Sequence, residues 1–301
     1  MELFYRNINK NKTLIADFGL LYAAAIWGST FFLVKDVINF IDPFFLCAYR
    51  FLLAALMLLP FLIFTKRKVS LYLKEGIILG VFLWFIYISQ TIGLIYTTAS
   101  NAAFITGLFV VFIPFLLFIL FKKVPSLNNI LAVLIALIGL WSLTGGLTDI
   151  NKGDKITLIT AFSYALHVLY SDKFIKKGCD PYVLCFQQFL VVALLSFSFG
   201  FMFKLPYSVN KISVIMVIVF LTIFPTLSAF LIQLLAQKIT SPVKVSLIFA
   251  LEPVFGALFA WTLGNEAFIL SHALGGALIV IALIVNEINI KNILRFYYKA
   301  T

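Results

Sequence analysis

The chain reads as a string of apolar runs, each close to the length that crosses a bilayer, divided by short polar breaks. A spanning helix needs roughly 20 residues, and ten stretches approach that length: 14 to 34, 43 to 65, 73 to 96, 99 to 121, 128 to 145, 154 to 174, 181 to 203, 212 to 236, 243 to 264 and 268 to 288. In hydrocarbon every backbone N–H and C=O must find its partner inside the protein, so such runs fold as helices. With 63% hydrophobic and 12% charged residues and a mean hydropathy of +1.09, the chain has too little polar surface to enclose itself in water. The expected fold is an all-α integral membrane domain of ten transmembrane helices.

The breaks carry turn formers, among them Asp42-Pro43, Gly145-Gly146, Asp180-Pro181 and Ser241-Pro242. Proline just inside a helix start costs nothing, because the N–H it lacks would be unpaired there. The third and fourth runs nearly fuse at Thr97-Thr98. Met1 to Thr13 is basic and polar, and the run behind it lacks a small-residue cleavage site, so a first span is expected and not a signal peptide.

A formal charge of +11 would suggest an anionic partner in a soluble protein, yet nearly every cation lies in a break. If the chain starts in the cytoplasm, 17 of its 23 Lys and Arg residues fall on the inner side and 5 on the outer, with Arg50 left inside the membrane. That bias orients short loops. Both termini are therefore expected in the cytoplasm, in a multi-pass protein of the inner or plasma membrane, and no nucleic-acid partner is called for. Cys47, Cys179 and Cys185 offer neither a disulfide framework nor metal-ligand spacing, so no cofactor or metal is expected. The 34 phenylalanines read mostly as lipid-facing filler.

The most informative feature is a repeat. Asp42-Pro-Phe-Phe-Leu-Cys-Ala-Tyr-Arg-Phe-Leu-Leu-Ala-Ala-Leu56 aligns without gaps on Asp180-Pro-Tyr-Val-Leu-Cys-Phe-Gln-Gln-Phe-Leu-Val-Val-Ala-Leu194. Pro114 in the fourth run and Pro253 in the ninth keep nearly the same offset, which divides the chain into five-helix halves, 1–145 and 146–301. An odd number of spans per half makes the second copy enter from the opposite side, giving two inverted repeats around a central cavity.

In such transporters the solute sits at mid-depth, beside helices broken at corresponding positions. Pro114 and Pro253 are candidate hinges, since each removes an N–H and frees a carbonyl; a packing kink is the plainer alternative. Glu252 precedes the second of these prolines near mid-span. A charge there costs about 2.5–3.5 kcal/mol on the insertion scale, so it must face a cavity or partner, or be protonated. It could bind a solute ammonium, carry a coupling proton or make a structural contact. Arg50, whose repeat mate is Gln188, either attracts a solute carboxylate or snorkels outward. His167 suits proton coupling but also reads as a satisfied packing residue. Trp27-Gly28-Ser29-Thr30, with Tyr164 as the approximate counterpart of Trp27, is either a cavity wall or a tight helix crossing. Gln90, Asn101 and Thr106 add polar groups that line the cavity or bond between helices. Gly76-x-x-x-Gly80 and Gly275-Gly276 suit close helix contacts.

Taken in order, Ala25-Ile-Trp-Gly-Ser-Thr-Phe31, Pro43 with Tyr49-Arg50-Phe51, Thr98-Ala-Ser-Asn-Ala-Ala-Phe-Ile-Thr-Gly107, Leu251-Glu-Pro-Val-Phe255, Gly264-Asn-Glu266 and Gly275-Gly276 resemble the EamA branch of the drug/metabolite transporter superfamily. The likeness covers nearly the whole chain. It implies a ten-helix bundle that moves small metabolites such as amino acids, often outward. Phe121-Lys-Lys-Val124 departs from the family's Gly-Glu after the fourth span, and Asn265 interrupts it after the ninth.

Catalysis finds little footing. Every aspartate lies at or near a helix end, leaving no mid-membrane acid pair, and two histidines without a Gly-x-Ser motif give a serine mechanism no frame. A channel would need a symmetric charged ring, which Arg50 against Gln188 does not supply. A secondary transporter of small organic solutes, with lipid as its other partner, is the expected function. An exchanger or uptake carrier for a nucleoside- or cofactor-type metabolite, and a non-transport membrane interaction protein, stand as alternatives. Oligomeric state is not readable from the sequence.

Overall fold

A computed structural model describes residues 2–144, 150–262 and 268–287, and every element among them is helical. Gly145-Gly146, Gly264-Asn265-Glu266 and the basic residues Lys291, Arg295 and Lys299 lie outside the described residues, as does the side chain of His272.

The first rod consists of α1 (Glu2–Gly28) and α2 (Thr30–Val37), interrupted at Ser29. Then come α3 (Pro43–Phe64), α4 (Leu73–Tyr96), and a second interrupted rod of α5 (Ala99–Gly107) and α6 (Phe109–Phe121). The first half ends with α7 (Leu127–Thr144), and the second starts with α8 (Lys152–Lys176) and α9 (Pro181–Met202). Next, α10 (Ile212–Leu221) passes through a π-helical turn, Thr222–Ser228, into α11 (Ala229–Ala236). The last rods are α12 (Pro242–Phe249) with α13 (Glu252–Thr262), and α14 (Leu270–Glu287).

Among the described residues, seven stretches are long and apolar enough to cross a membrane: Asn11–Val37, Pro43–Phe64, Leu73–Tyr96, Asn101–Phe121, Pro181–Met202, Ile212–Ala236 and Pro242–Phe259. Two further apolar helices, Leu127–Ser142 and Ala273–Asn286, are shorter, and α8 carries charged residues at both ends.

The duplicated Asp-Pro pairs start their helices alike. Asp42 and Asp180 each accept a hydrogen bond from the main-chain N–H two residues on, Phe44 and Tyr182, while proline occupies the first helical turn. The helices they start, α3 and α9, run antiparallel. Phe45 at the start of α3 lies against Gly200 near the end of α9, and Arg67, just past α3, pairs with Asp180 at the start of α9. The two duplicated segments therefore mark opposite ends of the bundle, as inverted copies must.

Other antiparallel pairs repeat the inversion. On α1, Gly19 meets Ile232 of α11 and Tyr22 bonds Ser228 at 2.9 Å. On α4, Gly93 meets Thr157 of α8 and Ser89 bonds Thr160 at 2.7 Å. The ends of α7 and α14 are joined by Asn129 to Asn286 at 2.7 Å and Ser142 to the Ser271 carbonyl at 2.9 Å. Small residues let these backbones approach, as the glycines predict: a Cβ on Gly139 would lie 2.7 Å from the Gly275 carbonyl, and one on Gly80 would lie 2.5 Å from Val191.

Thr97-Thr98 is a junction with its own cap. Thr98 accepts from the Asn101 N–H to start α5, as Ser241 accepts from Lys244 to start α12. With these caps superposed, the interruptions in the two rods coincide, at Leu108 and at Ala250-Leu251, whereas Pro114 and Pro253 stand four residues, about one turn, apart. Phenylalanine is divided between two roles. Phe45, Phe51, Phe104, Phe109, Phe189, Phe230 and Phe249 rank among the largest fully buried side chains, so the filler reading holds only for outward ones such as Phe18 and Phe115.

Candidate functional site

The break at Ser29 puts Trp27 and Gly28 at the end of α1, against the start of α13. A Cβ on Gly28 would lie 2.4 Å from the Glu252 carbonyl and 2.9 Å from the Gly256 nitrogen, so only glycine permits this crossing. It brings the first half's Trp27 and the second half's Glu252 to one level. Trp27 donates its indole N–H to the Pro225 carbonyl at 2.6 Å and meets Tyr164 edge to face at 6.1 Å, with Phe230 and Phe249 at 5.2 and 4.8 Å. Tyr164 in turn stacks on Phe109 at 4.3 Å.

Pro225 explains the π turn. Lacking an N–H, it cannot bond the Leu221 carbonyl, and the hydroxyl of Thr226 does so instead at 2.7 Å. The same hydroxyl accepts a 2.5 Å hydrogen bond from Arg50 Nε. Arg50 also lies 4.4 Å over the ring of Tyr87 and reaches its hydroxyl at 3.3 Å. At 3% exposure the guanidinium is held inside and does not snorkel. No described carboxylate pairs with it.

Glu252 opens α13 immediately after the interruption and is 6% exposed. Its carboxyl group has neither a hydrogen bond nor an ion pair among the described residues. A buried guanidinium and a buried carboxyl group thus share one ring-lined centre without bridging each other. Each costs several kcal/mol to hold in an apolar interior unless something neutralises it.

The remaining candidates are spread out. His167 is fully buried, its Nε2 against the Gln188 Oε1 at 2.8 Å and its ring 5.8 Å from Phe230. Gln188, the repeat mate of Arg50, therefore holds a histidine. Gln90 donates to Thr106 Oγ1 at 3.3 Å, bonding α4 to α5. Asn101 lies in the first turn of α5, at the end of the bundle, apart from the charged centre. Pro114 and Pro253 follow the rod interruptions. Among the described residues the centre is closely packed: Trp27, Arg50, Tyr87, Tyr164 and Glu252 are 3–7% exposed. A cleft of about 460 Å³ lies instead on the flank, between Tyr49, Leu52, Tyr207 and Ile215.

Tyr87, Thr226 and Pro225 belong to the site and are absent from the candidates drawn from sequence. Pro225 between two threonines, in the middle of an apolar run, is the signal that marks them.

The comparisons with known proteins fit this geometry. A model of the EamA-like transporter family matches residues 14–145 and again 151–287, one match per half. The chain belongs to the EamA-like transporter family. That family is a branch of the drug/metabolite transporter superfamily, so the protein is a multi-pass membrane transporter. An uncharacterized transporter of Archaeoglobus fulgidus is 31% identical over 279 residues, covering 93% of this chain and 88% of the relative. The uncharacterized transporter YyaM of Bacillus subtilis is 26% identical over 287 residues, covering 88% and 91%. A solved structure known only as "Crystal structure of protein" superposes with a TM-score of 0.77 at 19% identity, covering 92% of this chain and 96% of that one, and speaks for the fold alone.

Proposed function

We propose that this EamA-like transporter is a secondary carrier that binds an amino-acid-like zwitterion between Arg50 and Glu252. The observation that carries the reading is a buried guanidinium and a buried carboxyl group with no ionic partner among the described residues. A solute carrying both an ammonium and a carboxylate satisfies both at once, and a solute with one charge leaves the other stranded. Arg50 presents the carboxylate site with Thr226 and Tyr87, and Glu252 takes the ammonium.

In this reading α7, α8 and α14 complete ten spans with the seven apolar stretches, the chain starts in the cytoplasm, and the membrane is the cell membrane. Movement is by alternating access, the two halves rocking about the inverted-repeat axis with the interruptions before Pro114 and Pro253 as hinges. Export is the expected direction, as the family resemblance implies. The protein acts as a carrier without catalysis or cofactor.

The ring wall of Trp27, Tyr164 and Phe249 supports a second reading, a planar nucleoside-type solute stacked in the centre. Counterflow in proteoliposomes decides between them. Radiolabelled neutral amino acids are expected to exchange, while their amides and N-acetyl derivatives do not. Equal exchange of parent and blocked compounds, or exchange of nucleosides alone, overturns the zwitterion.

A further inference from the structure

Fully buried, Gln233 has no hydrogen-bond partner among the described residues for either its Nε2 or its Oε1. A buried primary amide with neither end paired is costly, and native proteins keep such groups where something else comes to meet them.

Its position in the repeat says what. Tyr87-Ile-Ser-Gln90 on α4 matches Phe230-Leu-Ile-Gln233 on α11, and each glutamine stands seven residues before the junction threonine, Thr97 or Thr240. Gln90 and Gln233 are therefore inverted mates, one on each side of the ring layer formed by Tyr87 and Phe230, whose centroids are 6.1 Å apart. Gln90 is partly exposed and bonds Thr106.

The residues one turn on either side of Gln233 reach α8. Phe230, one turn before it, touches His167; Gln237, one turn after it, donates to the Val168 carbonyl at 2.9 Å. Helical spacing thus turns Gln233 toward α8. Along that stretch of α8 and α11 the His167 Nδ1, the Ser171 Oγ and the Gln237 Oε1 are also buried without partners.

We infer that Gln233 is a second solute-contact residue, the station a solute's carboxylate or ammonium meets between the Arg50–Glu252 centre and the face of the bundle that carries Asp17. Gln90 plays that part on the opposite side. This rests on the carrier reading and names where the carried solute next binds. An amide suits the role because it donates to a carboxylate and accepts from an ammonium without trapping either as an ion would.

The test uses Gln233→Leu and Gln90→Leu in right-side-out and inside-out vesicles, with the labelled neutral amino acid that exchanges best as solute. For Gln233→Leu, KM measured from the Asp17 face is expected to rise about fivefold, the worth of one hydrogen bond. KM from the opposite face stays within about twofold of wild type, and Gln90→Leu gives the reverse pattern. Should Gln233→Leu fail to fold, the volume-conserving Gln233→Met serves in its place. In parallel, Gln233→Cys in a background with Cys47, Cys179 and Cys185 changed to serine is exposed to a membrane-impermeant trimethylammonium methanethiosulfonate. Labelling from the Asp17 face, slowed by solute, supports the station. Labelling that solute does not slow, with KM unchanged, means a water-filled approach without solute contact and overturns it, as does labelling from the opposite face or none at all. Wild-type vesicles that carry no amino acid would defeat the carrier reading itself, a result separate from any of these.

Discussion

The main-chain carbonyls of Thr97 and Thr240 are each held by a lysine from another rod, Lys35 at 2.9 Å and Lys176 at 3.1 Å, at opposite ends of the bundle. Lys35 also reaches the Leu94 carbonyl, and Lys176 pairs with Asp172 at 2.5 Å. Both threonines close a helix C-terminus, where exposed carbonyls favour a cation. At the same two junctions stand acids of matching helices, Asp154 in the first turn of α8 and Asp17 midway along α1: Asp154 accepts from the Thr97 hydroxyl at 2.5 Å, and Asp17 pairs with Lys244 at 2.9 Å. Both ends are fastened at once, in keeping with the closely packed centre.

Cutting one fastening should open one end. Lys35→Met and Lys176→Met each lose charge-assisted hydrogen bonds worth about 1–2 kcal/mol, enough to shift a two-state balance about tenfold. Lys35→Met is expected to speed thiol labelling of Cys placed at Gln90, and Lys176→Met to speed labelling of Cys placed at Gln233. The same change at both sites with either variant would show that the ends are not independent.

Glu252→Gln is expected to reduce zwitterion exchange at least about a hundredfold. Its unfolding temperature in detergent should hold or rise, because a buried ionisable group without an ionic partner has been replaced by a neutral one of the same size. Arg50→Gln, which copies Gln188 into the first half, should cost transport on the same scale. Scintillation counting of exchange beside a thermal melt separates loss of binding from loss of fold.

Gly28→Ala tests the crossing beneath the site. Its added Cβ would stand 2.4 Å from the Glu252 carbonyl, so α1 and α13 must part, at a cost of about 1–3 kcal/mol. A control, Gly178→Ala, meets nothing within 4 Å but sits at φ +98°, where only backbone strain of about 1 kcal/mol applies. Thermal melts should fall further for Gly28→Ala, and exchange should fail with it alone.

At Asp42, burial pushes the carboxyl up from its ordinary range, against the hydrogen bonds that draw it down. A carboxyl raised in the folded state stabilises the fold most when protonated, below its unfolded value, and that contribution is lost as pH rises through the raised value. Asp42→Asn, which can cap α3 without a charge, is expected to remove this slope. Melting temperatures of the two proteins should diverge in the mutant's favour as pH rises above the ordinary carboxyl value.

Some of this was visible in the residues and some was not. The Asp-Pro pair betrays the duplication because a cap and a proline at a helix start are local chemistry, and both copies keep it. Inversion followed from the odd span count and appears as the antiparallel packing of α3 on α9. The carbonyls freed by Pro114 and Pro253 announced broken rods, but the breaks follow the caps, since the interruption lies ten residues past Thr98 and past Ser241 alike. Arg50 and Glu252 stood out as charges in apolar runs, yet their lack of ionic partners is a tertiary fact. Gln233 stayed hidden because a lone amide in an apolar run looks like many others until its mate is aligned. Thr226 was masked for another reason: its task, covering the carbonyl that Pro225 leaves open, exists only once the helix is built.

The likeness of the halves stops at Arg50, which faces Gln188, and at Glu252, which has no acidic equivalent: Phe109 matches it by caps and Ile113 by prolines. A pair of perfectly mirrored halves would leave the empty carrier equally at ease facing either way. In the proposed carrier the unequal residues lift that degeneracy: one side becomes the preferred resting side, and the return journey is uphill in one direction only.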